Sequence, residues 1–99
     1  MKVRYRNRAR EDIESIYDWI AKDSFAVAQR VEDAIHAAAK LLGKSPELGV
    51  ETGYMDARRW PIPRFFHTIF YRIDGEADYI DVLRVVAGKR VRNPKHVPE

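Results

Sequence analysis

The sequence predicts an α+β fold: a helical hairpin packed on one face of a small sheet built around a β-hairpin. Three observations predict it. Two stretches carry apolar residues at three- and four-residue spacings, joined by a link so short that the helices must run antiparallel. Two runs rich in aromatic and β-branched residues flank Asp74-Gly75, a dipeptide suited to a tight turn. A short segment alternating apolar and basic residues opens the chain, with the period of a half-buried strand.

The elements follow in order. In residues 1–6, Val3 and Tyr5 alternate with Arg4 and Arg6. Residues 8–22 form an amphipathic helix with Ala9, Ile13, Ile16, Tyr17 and Ile20 in one stripe. Asn7 is its expected N-cap, Glu11 and Asp12 suit the positive end of its dipole, and Trp19 is expected at the core edge. Asp23 or Ser24 caps a second helix reaching about Leu42, lined by Ala28, Val31, Ile35, Ala38, Ala39 and Leu42. His36 sits beside that face. Gly43 suits the helix C-terminus and Ser45-Pro46-Glu47-Leu48-Gly49 is turn chemistry. An irregular connection runs to Asp56, with a turn at Gly53. Residues 58–62 form an edge strand tolerant of Pro61. Residues 66–73 and 79–86 form the central hairpin. Ile80, Val82 and Arg84 are expected on one face, and Asp78 and Asp81 are expected to face solvent.

Ninety-nine residues suit one small domain, residues 1–99, with apolar content of 45% and charged content of 33% typical of globular chains. No apolar run is long enough to span a bilayer and no signal-peptide pattern opens the sequence, so no membrane association is expected. The absence of cysteine excludes disulfides and thiolate chemistry and fits a cytoplasmic protein. The net charge of +3 hides a segregation: Lys2, Arg4, Arg6, Arg8 and Arg10 make the opening basic, and Lys89, Arg90, Arg92 and Lys95 do the same for the tail. Acids gather in the helices. Such a chain presents a positive face that attracts nucleic acid or an acidic protein.

The motifs exclude several chemistries. His36, His67 and His96 have no metal-ligand spacing, no glycine-rich phosphate loop is present, and no serine occupies a nucleophile elbow. No metal or cofactor is expected. What remains is cationic: Arg58, Arg59, Arg64, Arg72, Arg84, Lys89 and Arg90, with His67, Tyr71 and His96. Such a set can stabilise the transition state of metal-free RNA cleavage, with His67 or His96 as proton carrier. It can equally pair with the carboxylates of a bound partner.

The ordered elements, with Pro46-Glu47-Leu48-Gly49, Arg58-Arg59-Trp60-Pro61-Ile62, Ile69-Phe70-Tyr71-Arg72-Ile73 and Ile80-Asp81-Val82-Leu83-Arg84-Val85, resemble the RelE/ParE family of toxins from type II toxin–antitoxin modules. The resemblance covers nearly the whole chain. It implies a helical hairpin on one face of a small, mostly antiparallel sheet, and a cognate antitoxin, ParD-like or similar, that wraps and neutralises the toxin. It also implies operator DNA contacted only indirectly, through the antitoxin. Arg58-Arg59-Trp60-Pro61-Ile62-Pro63 followed by Ile69-Phe70-Tyr71-Arg72 looks more like the ParE branch, whose members inhibit DNA gyrase and are not nucleases, so an enzyme is not the first expectation.

The alternative is the RelE-like branch, ribosome-dependent endoribonucleases that cut mRNA without a metal. Gly88-Lys89-Arg90 matches that pattern, whereas Arg59 and Pro61 fall near its paired lysines, Thr68 near its strand arginine, and His96 where its tyrosine would stand. A nuclease would therefore use Arg59, Arg90 and His96. A third reading is an inactive homologue retained to bind antitoxin and regulate its operon. The residues expected to meet target or antitoxin are Arg58, Arg59, Arg64, His67, Arg84, Lys89 and Arg90. Arg84 is expected to find an acidic residue on the antitoxin.

Overall fold

The computed structural model of the protein describes residues 1–87. Strand β1 (Lys2–Tyr5) leads into helices α1 (Asn7–Ala21) and α2 (Phe25–Lys44), then a single 3-10 turn (Pro46–Leu48). Strands β2 (Val50–Glu51), β3 (Ala57–Pro61), β4 (His67–Asp74) and β5 (Tyr79–Ala87) follow. The five strands form one sheet in the order β1-β5-β4-β3-β2. β1 runs parallel to β5, and every other pair is antiparallel. This is the expected α+β architecture, with the helices on one face of a mostly antiparallel sheet.

The helical stripes predicted from periodicity are the buried ones. Ala9, Ile13 and Ile16 of α1 meet Val31, Ile35, Ala38, Ala39 and Leu42 of α2, and both helices rest on Ile69, Tyr71, Ile80, Val82 and Val85 of the sheet. Each fully buried isoleucine or valine contributes about 1.5–3 kcal/mol. Ser24 caps α2, its hydroxyl accepting from the Val27 N–H at 3.2 Å. The start of α1 differs from expectation. Asn7 is already helical, the capping position falls on Arg6 without a side-chain bond, and the first turn holds no acid. Glu11 and Asp12 thus lie one turn further in, where Asp12 serves the sheet instead.

α2 continues through Gly43 to Lys44 rather than stopping near Leu42. Gly43 is there for close approach: a Cβ on it would lie 2.6 Å from the Met1 carbonyl oxygen. The Met1 ammonium donates to the Gly43 carbonyl at 2.8 Å, tying β1 to the end of α2. Gly49 serves a similar purpose, since a Cβ there would meet the Tyr71 hydroxyl at 2.5 Å. That buried hydroxyl accepts from the Gly49 N–H at 2.8 Å and donates to the Pro46 carbonyl at 2.6 Å.

Three turn details depart from the sequence reading. Residues 50–51 of the expected irregular connection pair with β3 as an edge strand. The expected turn at Gly53 is present, at φ 75°, accompanied by Met55 and Asp56 at φ 48° and 57°. In the β4–β5 connection the left-handed residue is Asp78, at φ 59°, not Gly75. There Asp74 accepts from the Ala77 N–H at 3.1 Å, so a side chain organises the bend.

A bulge decides what each face of the sheet presents. Tyr71 pairs with Val82 but Phe70 pairs with Arg84, so Leu83 has no partner of its own and the alternation along β5 slips by one. Ile80, Val82 and Val85 therefore all point at the helices, and Arg84 faces away. The sequence expectation that Arg84 shares a face with Ile80 and Val82 assumed an unbroken alternation, and is corrected.

Candidate functional site

The face of the sheet turned away from the helices is dominated by arginine. Val3 and Tyr5 of β1 pack toward the core, which turns Arg4 and Arg6 outward. Register then places Arg4 beside Asp81 and Asp81 beside Arg72, forming one row across β1, β5 and β4. In the adjacent row Arg84, Phe70 and Arg59 lie across β5, β4 and β3.

Asp81 is the centre of this face. Contrary to the expectation that it meets solvent, it is fully buried. Its Oδ1 accepts from Arg4 Nε at 2.6 Å, and its Oδ2 accepts from Arg4 and Arg6, each at 3.2 Å. Arg72 stands 3.8 Å from the same oxygen. The Arg4 hydrogen bond, followed by the charges of Arg6, Arg4 and Arg72, holds this carboxylate below the usual range despite its burial. Arg4 also reaches Asp74 at 3.2 Å and lies over the Tyr79 ring, 4.5 Å from its centre. The carboxylate thus holds several guanidinium groups in fixed positions. The alternation of β1 placed Arg4 and Arg6 on one side, but only the strand order brings Asp81 to them.

The sequence-predicted residues separate. Arg84 has its acid within the chain: its Nε and Nη2 donate to Asp12 at 2.7 and 3.0 Å, and the Val85 N–H donates to the same carboxylate at 3.0 Å. Asp12 thereby caps the part of the β5 edge that β1 leaves uncovered. No antitoxin acid is needed to account for Arg84's charge, and Asp12 raises its pKa further. Arg58 braces the loop before β2, donating to the Glu47 and Gly49 carbonyls at 3.3 and 2.8 Å and to Glu51 at 3.1 Å. Arg64 is exposed on the β3–β4 turn at φ 70°. Arg59 alone of these three lies on the arginine face. Lys89, Arg90 and His96 lie outside the described residues.

His67 is on the other side of the sheet. It lines a groove of about 480 Å³ with Ser15, Ile16, Trp19 and Ile20 of α1, Phe66 and Ala87. Burial lowers its pKa, and its Nδ1 is buried without a hydrogen-bond partner. Trp19, expected at the core edge, is 72% exposed on the rim of this groove, and Phe66 is 61% exposed. The Lys22 ammonium sits 5.0 Å from the Trp19 ring centre. Trp19 shares helical spacing with Ile16 and Ile20 only at the margin of the stripe, so the core fills without it. A second group of exposed apolar side chains, Leu48, Val50, Tyr54 and Met55, surrounds the β2 edge. Among the described residues no cluster of metal-ligating side chains exists, and no helix is long and apolar enough to cross a membrane.

Comparison with known proteins decides the family. The family model described as the ParE toxin of the type II toxin–antitoxin system parDE matches residues 3–92. The chain belongs to the ParE toxin family. Solved structures agree on the fold of this ParE-family toxin. It is similar to the chromosomal ParDE system of P. aeruginosa, with a TM-score of 0.75 and 20% identity over 89% of this chain and 96% of that one. It is also similar to the RelBE2 toxin–antitoxin complex of Mycobacterium tuberculosis, with a TM-score of 0.66 and 22% identity over 87% and 95% of the two chains. The intact E. coli RelBE complex gives a TM-score of 0.59 and 14% identity over 90% and 98%. No curated protein matches the sequence.

Proposed function

We propose that this ParE-family toxin acts in the cytoplasm, is neutralised by a cognate antitoxin, and arrests growth by inhibiting DNA gyrase rather than by cutting mRNA. The observation that carries the choice of target is the match of residues 3–92 to the ParE toxin model, and the separation of His67 from the arginines supports it. A metal-free ribonuclease needs groups to take and give a proton beside the cations that stabilise the scissile phosphate. Among the described residues no histidine shares the arginine face: His67 lies on the helix side of the sheet and His36 on α2.

The antitoxin reading is supported by the apolar side chains that the core leaves out. Trp19 and Phe66 border one groove, and Leu48, Val50, Tyr54 and Met55 surround a two-residue edge strand. A flexible segment that folds on binding recognises such surfaces.

Purified toxin added to gyrase in a supercoiling assay tests the target. Inhibited supercoiling, with messages intact on translating ribosomes, is the expected outcome. Cleavage of mRNA in the ribosomal A site would overturn it and direct mutagenesis to Arg59, Arg90 and His96. If neither occurs, and expression without antitoxin leaves growth unchanged, the chain is an inactive, antitoxin-binding homologue.

A further inference from the structure

We infer that His67 is the polar anchor of the groove between α1 and the start of β4, and that its Nε2–H donates a hydrogen bond to an oxygen acceptor on the antitoxin segment that fills this groove. The inference rests on the proposed reading that the antitoxin occupies the groove bordered by Trp19 and Phe66.

The first observation is how firmly the ring is placed. His67 opens β4 and pairs with Ala87 of β5. Its carbonyl accepts from the Ile62 N–H at 2.9 Å, so the backbone under the ring is held from both sides. The ring lines the groove opposite Ile16, Trp19 and Ile20 of α1. A recognition group carried on a strand is positioned more precisely than one on a loop.

The second observation is that the two ring nitrogens are not equivalent. Nδ1 is buried without a hydrogen-bond partner. Nε2 makes no hydrogen bond among the described residues and is not buried, so it is the nitrogen that this half-buried ring presents to the groove. An orphaned N–H is rarely left inside a protein, which puts the proton of the neutral ring on Nε2 and the bare lone pair on Nδ1. Burial lowers the pKa of His67 and keeps the ring neutral at pH 7. The groove therefore contains an N–H donor that the described residues leave unpaired.

The third observation selects the occupant. Five of the seven lining residues are apolar, so a segment that fills the groove is mostly apolar too, with one oxygen set against His67. The Lys22 ammonium, 5.0 Å from the Trp19 ring centre at the rim, favours a segment that carries acid beside its apolar side chains. A second copy of this chain would bring a net charge of +3 against the same sign. An acidic, amphipathic antitoxin segment meets both demands.

Calorimetric titration of the full chain with the antitoxin encoded beside it tests this. Trp19→Ser, which reports only whether the groove is occupied, should weaken binding. His67→Leu should weaken it roughly tenfold, the scale of one lost hydrogen bond. His67→Gln, whose amide N–H reaches about as far as Nε2, should stay within about threefold of the wild type. His67→Asn, whose amide ends near the Nδ1 position, should bind as weakly as His67→Leu. Circular dichroism and thermal unfolding check the free variants, and His67→Leu should be at least as stable as the wild type, because it removes a buried nitrogen without a partner. Nitrogen NMR of the wild type needs no substitution: it should show the Nε2–H tautomer in the free toxin and a downfield shift of that proton in the complex. A loss with Trp19→Ser and none with His67→Leu would leave the groove reading standing and overturn this inference. No loss from either would remove the antitoxin from the groove, and this inference with it. Binding kept by His67→Asn and lost by His67→Gln, or an Nδ1–H tautomer, would overturn the assignment to Nε2.

Discussion

Asp81 shows how one residue can organise a surface it does not itself display. Its pKa lies below the ordinary carboxylate range because Arg4, Arg6 and Arg72 favour the charged form. The stability this contributes is present above the unfolded-state value, about 3.9, and is lost as pH falls through that value toward the folded one. Thermal unfolding followed from pH 7 to pH 3 should therefore show a loss of stability that Asp81→Asn reduces. At neutral pH, Asp81→Asn should cost about 1–3 kcal/mol, toward the lower end because the partly exposed arginines can turn to water. Tyr71 is the second such residue. Its hydroxyl joins the Pro46 carbonyl to the Gly49 N–H inside the fold. Tyr71→Phe leaves both without that partner and should cost about 1–3 kcal/mol in denaturant titration, without altering the sheet face. Arg84→Ala and Asp12→Ala should each destabilise by about 1.5–3 kcal/mol, and the double variant by less than their sum, because both remove one ion pair. Losses that add fully would show that the pair is not coupled. Toxicity lost in these variants would report folding, not target contact.

At the scale of elements, the helices were legible because periodicity is local. Ile13, Ile16, Val31, Ile35 and Leu42 announce their buried stripes in sequence, and Ser24 announces the cap of α2. The central hairpin was equally plain from its aromatic and β-branched runs. The bulge opposite Phe70 and Tyr71 was not, because an unpaired Leu83 exists only relative to a partner strand. That slip hid the true facing of Arg84. The burial of Asp81 was hidden for the same reason, since Arg4 lies 77 residues away and meets it only once β1 docks on β5. The exposure of Trp19 escaped because a stripe margin looks the same in sequence whether or not the core reaches it. Its position on α1 carries a prediction of its own. Trp19→Ser should leave thermal stability within about 0.5 kcal/mol, as expected of an exposed site. If the groove it borders receives the antitoxin, the same substitution should weaken co-purification with it, and undiminished complex formation would move the antitoxin elsewhere.

For the whole molecule, the two faces of the sheet divide the work. One is covered by α1 and α2 and builds the core, and the other carries arginine held on a buried acid. The arginine face owes its first row to the parallel pairing of β1 with β5, which joins residues 2–5 to residues 79–82. That pairing has a consequence for how the chain is made. A ribosome delivers β1 and both helices long before it delivers β5, so through most of synthesis the stripes of Ile13, Ile16, Val31 and Ile35 have no sheet beneath them. Arg4 and Arg6 meanwhile wait for a carboxylate that has not yet been added. The row of Arg4, Asp81 and Arg72 therefore comes together only after more than four-fifths of these residues have been joined.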